Sequence, residues 1–198
     1  MTFEKSSTVL RIVKWSEFKR DSGSADSRSI DWAASALDGI FFEASGTKSF
    51  ASGAARAAFR ERWLERYLRT YPDWVYLALD GGGAVSGYLL GCLDDPAKTP
   101  MFHDIGYFKN FAALTARFPA QLHVNLAPAA RGQGAGSRLV SAFAGDARKT
   151  GCPGVHVVTG RGLRNAGFYE RQGFHEEGHI DWQGRDLVFL AHSLTEAA

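Results

Sequence analysis

The stretch from Gln121 to Gly151, QLHVNLAPAARGQGAGSRLVSAFAGDARKTG, constrains this chain more than any other. It opens with strict alternation: Leu122, Val124 and Leu126 fall on one side, His123 and Asn125 on the other. A period of two is that of a half-buried strand. Pro128 has no N–H to donate to a ladder and ends the strand. Arg131-Gly132-Gln133-Gly134-Ala135-Gly136 follows. From Gly136 the apolar spacing becomes helical, with Gly136, Leu139, Val140, Phe143 and Ala147 in one stripe. Lys149 suits the last turn and Gly151 the stop. A strand, a glycine turn and a helix in succession call for a sheet with helices packed on its faces.

The chemistry open to such a turn is anion binding. The first N–H groups of a helix lack internal partners, and the helix dipole places partial positive charge beside them. Glycines let a phosphate approach the backbone closely. Arg131 adds a charged donor, so a pyrophosphate suits the pocket. A P-loop would need Lys and Ser/Thr after its last glycine, where Ser137 and Arg138 stand. The dinucleotide fingerprint would need a third glycine at Ser137.

Composition sets the outer bounds. The chain has 198 residues, of which 45% are hydrophobic, enough for one domain with a substantial core. A net charge of +2 is too mild to argue for nucleic acid. No apolar run reaches the length of a membrane span, and the start, MTFEKSSTVLRIVKW, has no signal-peptide core. Cys92 and Cys152, far apart, read as reduced core residues of a cytoplasmic protein.

Taken in order, Val9 to Lys14 reads as a strand and residues 19–29 as a polar loop. Ser29 or Asp31 caps a helix to Ala44, with Ala33, Leu37, Ile40, Phe41 and Ala44 as its stripe. A second helix spans Ala54 to Thr70, its Arg56, Arg60, Arg62, Arg66 and Arg69 reading as a solvated face. Trp74 to Leu79 and Ala84 to Leu93 form a hairpin across Asp80-Gly81-Gly82-Gly83. Residues 94–120 are an excursion with one short helix, Ile105 to Phe118. After the central unit come a strand from Gly154 to Thr159, a helix from Asn165 to Gln172, a strand from Phe174, and a last strand from Arg185 to Ala191.

Arg-x-x-Gly-x-Gly after a strand and a proline resembles motif A of the GNAT superfamily of N-acetyltransferases. Phe168-Tyr169-Glu170-Arg171-Gln172-Gly173-Phe174 resembles its motif B. The two occur in the family's order. LHVNLAP, GCPGV and the FY–GF run are similar to the acetyltransferase-like C-terminal domain of eukaryotic nucleocytoplasmic O-GlcNAcase. The resemblance implies a single α/β (α+β) domain over residues 1–198, a mixed sheet of about seven strands splayed between the fourth and fifth, with helices on both faces. It implies acetyl-CoA as cosubstrate, no metal, and direct transfer of acetyl to an amine, aminosugar or peptide by a monomer or homodimer. A non-catalytic module that binds acyl-CoA or a partner is the alternative, since fold does not fix function.

The implied roles follow residue by residue. The N–H groups of Gln133, Gly134, Ala135, Gly136 and Ser137, with Gly132 in the turn and Arg131, hold the pyrophosphate. Val124, Asn125 and Leu126 border the pantetheine arm, in the splay between 122–126 and 154–159. The backbone at Leu126 binds the acetyl carbonyl as a small oxyanion hole. Tyr169, flanked by Phe168, is the general acid, since a phenol can protonate a departing thiolate. The family often carries Asn seven residues before that tyrosine, where Gly162 stands here. Asn165 either replaces it or caps the helix.

The general base is left open. His123 has the right intrinsic pKa and lies on the splayed strand. Asp94, His103, Asp104 and a water relay compete with it. His175-Glu176-Glu177-Gly178-His179 fits H-E-x-x-H, but that zinc chemistry requires a helix, and this segment begins a strand. The acceptor is expected between the first two helices and residues 94–118. Glu43, Asp94, Asp95 and Asp104 are candidates to meet an ammonium there, with Phe102, Tyr107 and Phe108 to cover it.

Overall fold

The computed structural model describes residues 10–23 and 27–195. Seven strands, β1 (Arg11–Lys14), β2 (Val75–Leu79), β3 (Val85–Cys92), β4 (Ala120–Leu126), β5 (Gly154–Gly160), β6 (His175–Trp182) and β7 (Arg185–Ser193), form one sheet ordered β1-β2-β3-β4-β5-β7-β6. β4 and β5 are parallel, while β1–β2, β2–β3, β5–β7 and β6–β7 are antiparallel, so the sheet is mixed as expected. The parallel ladder joins Ala120 and Gln121 to Val155 and His156, and both strands run on beyond it. The splay begins where that short ladder ends.

The helices are α1 (Trp15–Gly23), α2 (Ser27–Ala44), α3 (Gly53–Arg60), α4 (Arg66–Thr70), α5 (Ala112–Arg117), α6 (Ala135–Lys149) and α7 (Arg164–Glu170). Contacts divide the chain into two compact units, one of Met1–Leu90 with Val124–Leu139, the other of Gly91–His123 with Val140–Ala198. Among the described residues no helix is long and apolar enough to cross a membrane.

In the first unit, β2 is buried at every residue, as a strand covered on both faces must be. α2 packs through Ala33, Leu37, Ile40 and Phe41, the stripe its periodicity predicts apart from half-buried Ala44. Phe41 meets Phe59 of α3 with ring centroids 5.4 Å apart. α3 passes into α4 through a π turn over Glu61–Glu65. A π turn stacks residues five apart, and Arg60 bonds Glu65 across it while also reaching Asp38 of α2 at 2.8 Å. Arg69 pairs with Glu61 at 2.7 Å, and Arg66 is buried. Arg56, Arg62 and Arg69 are exposed, as a solvated face predicts, while Arg60 ties α3 to α2 and Arg66 is buried.

Other expectations also need correction. Residues 15–23 are helical, although their polarity from residue 19 onward predicts a loop. Trp15 is 4% exposed and stacks on Phe18, and tertiary burial of that one ring supports a helix that is otherwise polar. α2 begins at Ser27, so Ser29 and Asp31 lie inside it rather than at its cap. Val9 and residues 24–26 lie outside the described residues.

In the second unit, the faces of the sheet are told apart by Gly91 and Cys92. A Cβ on Gly91 would stand 2.3 Å from the Phe143 ring, so α6 covers that face and only glycine allows the approach. Cys92, next along the strand, points the other way and accepts from Gln121 Nε2 at 3.5 Å. Burial pushes its thiol up to about 12, which makes it inert. On the Cys92 face the excursion packs through Phe111 and Phe118 against Phe189. Phe102 and Phe108 are 0% and 2% exposed. They belong to the core, which corrects their expected role as a cover over the acceptor. Tyr107 meets Trp182 edge-on at 6.5 Å. Asp95 accepts from the Ala97 N–H and pairs with Lys98, so its carboxylate shapes a turn rather than awaiting an ammonium. His175–His179 lie on β6, where residues four apart are roughly 13 Å from each other, too far for one ion.

Candidate active site

In the first unit the end of β4 is held against β3. Ala127 donates its N–H to Ser86 O at 2.9 Å, and Asn125 Nδ2 donates to the Tyr88 hydroxyl at 2.9 Å. Burial raises the pKa of Tyr88, so it stays a neutral partner. A Cβ at Gly87 would fall 2.3 Å from Leu126 Cδ2, which makes glycine the residue that admits Leu126 here.

After Leu126 the chain makes a 3₁₀ turn over Pro128–Ala130 and reaches Gly132 and Gly134 with φ of +76° and +81°. Both angles lie in the left-handed region that side chains resist. A Cβ at either glycine would meet nothing within 4 Å, so the glycines serve backbone geometry and leave open space beside it. α6 begins directly after, at Ala135, with Ala135 and Gly136 buried and Arg131 to Gly134 lying at or near the surface. The initial N–H groups of this helix thus stand at an open, glycine-lined turn, an arrangement that fits a pyrophosphate. Arg131 donates through Nε and one terminal nitrogen to Leu126 O, each at 3.3 Å. Gln133 Nε2 donates to Ala129 O at 2.6 Å, bracing the turn. Ser137 lies in the first turn of α6.

The second unit holds the remaining candidates. Tyr169 is 5% exposed on α7, its ring 5.1 Å from Phe168 and 5.5 Å from Phe174. The Phe174 N–H donates to Tyr169 O at 3.1 Å, and Gly173 between them has φ +84°. This explains the glycine of the FY–GF run as a left-handed helix stop. Thr159 Oγ1 donates to Asn165 Oδ1 at 3.0 Å. Leu163 precedes α7 and no side chain caps it, so Asn165 is not the expected cap. Gly162 has φ +73°, a further reason for glycine where the family often has Asn.

His123 is half-buried and shares a strand face with Gln121, whose register partner is His156. Burial pushes His123 down to about 4, so it is neutral at pH 7 and a weak base. Sequence reasoning missed His156. It is 1% exposed, stacks on Phe189 at 4.5 Å and donates from Nδ1 to Phe118 O at 2.6 Å. Burial lowers it to about 4 as well, and His123 adds to that fall, while the Phe118 carbonyl and Asp95 oppose it. Its neighbours two residues either side in the alternation, Gly154 and Val158, gave no signal of this.

A pH dependence of stability follows. Between about pH 6.5 and 4 the unfolded chain binds a proton at His156 that the folded chain refuses. Stability contributed by the neutral, buried ring is present above the ordinary pKa and is lost as pH falls through that window. The expected slope is roughly 1 kcal/mol per pH unit. Urea unfolding at pH 7, 6 and 5 should show a shallower loss in His156→Gln than in wild type, by about one proton. Parallel curves would remove His156 as the source.

The sequence profile of the acetyltransferase (GNAT) domain family matches residues 73–176, more than half of the chain and spanning the glycine turn and Tyr169. Among solved structures, SsHAT is 22% identical, with a TM-score of 0.63 over 84% of this chain and 95% of that one. YncA, a putative acetyltransferase from Salmonella typhimurium solved with its cofactor acetyl-CoA, is 20% identical, with a TM-score of 0.55 over 96% of each chain. A GCN5-related N-acetyltransferase from Kribbella flavida is 17% identical, with a TM-score of 0.59 over 93% of this chain and 97% of that one. At these identities the likeness speaks for the fold. The family match adds what fold alone leaves open: the chain belongs to the GNAT family of acetyltransferases.

Proposed function

We propose that residues 1–198 form one acetyltransferase domain that moves acetyl from acetyl-CoA to an amine acceptor by direct attack. One observation carries the reading: a glycine turn with two left-handed residues opens onto the first N–H groups of α6. Acetyl-CoA supplies the thioester. The N–H groups of Gln133 to Ser137, with Gly132 and Arg131, hold its pyrophosphate. The Leu126 backbone polarises the acetyl carbonyl, with Val124 and Asn125 along the same strand edge. Tyr169, beside Phe168, gives its hydroxyl proton to the departing sulfur. Asn165 acts with Thr159 on the pantetheine arm. His123 receives the amine proton, directly or through water, its neutral form being the one a base requires. Two free, buried cysteines support a reducing, cytoplasmic setting. The LHVNLAP, GCPGV and FY–GF runs support closer kinship with the acetyltransferase-like domain of O-GlcNAcase. The acceptor is a small amine, an aminosugar or a peptide.

Thiol release from acetyl-CoA over a panel of amines, amino acids, aminosugars and peptides tests this. Amine-dependent release is expected from at least one class. Acetyl-CoA binding with no release across the panel would instead leave a non-catalytic acyl-CoA module.

A further inference from the structure

A cavity of about 400 Å³ lies in the first unit, where α2 ends and α3 begins. Phe42, Phe50, Thr47 and Gly53 form much of its wall, together with two cations, Lys48 and Arg56. The charges in this wall are arranged differently from those elsewhere on the same helices. Arg60 and Arg69 each hold a carboxylate. Among the described residues no carboxylate pairs with Lys48 or Arg56. Lys48 Nζ instead donates to Glu43 O at 2.6 Å, at the C-terminal carbonyls of α2, and an ammonium carries three N–H donors. The guanidinium carbon of Arg56 stands 3.6 Å over the centroid of Phe42. Stacking engages the face of a guanidinium and leaves its in-plane N–H fork for a ligand.

The ligand chemistry follows from these walls. Two positive side chains in one concavity, without a protein anion, call for an oxyanion, and an arginine fork matches the two oxygens of a carboxylate or phosphate. The start of α3 at Gly53 adds partial positive charge of the same sense. Phe42 and Phe50 provide apolar surface for the body that carries the anion. We propose that this cavity binds a carboxylate or phosphate borne on an apolar or aromatic group. The residues that line it are not among those assigned above to acetyl transfer.

The test is calorimetric. Phenylacetate and phenyl phosphate are titrated into wild type, with phenylacetamide as the uncharged match. Both anions are expected to bind more tightly than the amide, the stronger of the two marking the preferred oxyanion. Arg56→Gln is expected to weaken them about tenfold or more, and Arg56→Lys, which keeps the charge without the fork, by less. Titrating acetyl-CoA into Arg56→Gln separates two sources of the oxyanion. Unchanged affinity assigns it to a separate small molecule, and a matching tenfold loss assigns it to a phosphate of coenzyme A. Anions that bind wild type no better than phenylacetamide would overturn the proposal without recourse to any variant, as would Arg56→Gln binding them like wild type.

Discussion

Gly134→Asp is expected to lose acetyl-CoA affinity on the order of a hundredfold. The position has φ +81° and open space where a Cβ would stand, so the substitution introduces no clash. Asp and Asn tolerate the left-handed region better than other side chains, which keeps backbone strain small. What changes is charge: a carboxylate stands at the turn proposed to receive the pyrophosphate. Like charges about 5 Å apart near a protein surface repel by roughly 3 kcal/mol, which is about a hundredfold in binding. The free protein should not suffer, because a negative charge at the start of α6 complements the helix dipole. Calorimetry on wild type, Gly134→Asn and Gly134→Asp, with melting temperatures measured alongside, isolates the charge. The Asn variant should stay within about tenfold of wild type at similar backbone strain. An Asp variant that binds acetyl-CoA as wild type does would remove this turn from the pyrophosphate site.

Tyr169→Phe is expected to lower kcat by about 10² to 10⁴, the range for loss of a positioned general acid. The ring sits between Phe168 and Phe174 and is 5% exposed, so phenylalanine preserves the packing and removes the hydroxyl alone. Acetyl-CoA affinity should therefore hold while kcat falls. The loss of rate expected of wild type at high pH, if Tyr169 is the acid, should be absent from the kcat profile of the variant. A merely structural tyrosine predicts the reverse: a shifted melting temperature with kcat and its pH profile intact. That outcome would return the acid role to another group or to water.

What is legible in the sequence is what local geometry dictates. Gly132, Gly134 and Gly173 announce themselves because left-handed backbone excludes most side chains whatever surrounds it. The period of two before Pro128 and the helical period after Gly136 likewise depend on the pattern of a few consecutive residues. The order of strands and the glycine turn can therefore be read before any tertiary contact is known. The segment WSEFKRDSG cannot, because a helix with one short apolar patch forms only where a core accepts Trp15.

Side-chain roles on the excursion and the histidine strands were decided by tertiary structure. Phe102 and Phe108 have the same composition as lid aromatics, and only their burial makes them core. His123 brought an intrinsic pKa near neutrality, but desolvation pushed it to about 4, a property of surroundings drawn from distant parts of the chain. His156 carried no sequence signal at all until the Phe118 carbonyl, 38 residues away, met its ring. The arginines of α3 and α4 had the look of a solvated face, yet a π turn and Asp38 of α2 converted Arg60 into a tie between helices. Backbone conformation and apolar period are written locally in this chain, so its sequence alone determined the succession of strands and helices and the left-handed glycine turn before α6. Protonation, ion pairing and burial depend on which distant groups come within a few ångströms, so only the tertiary structure decided what its histidines, acids and arginines do.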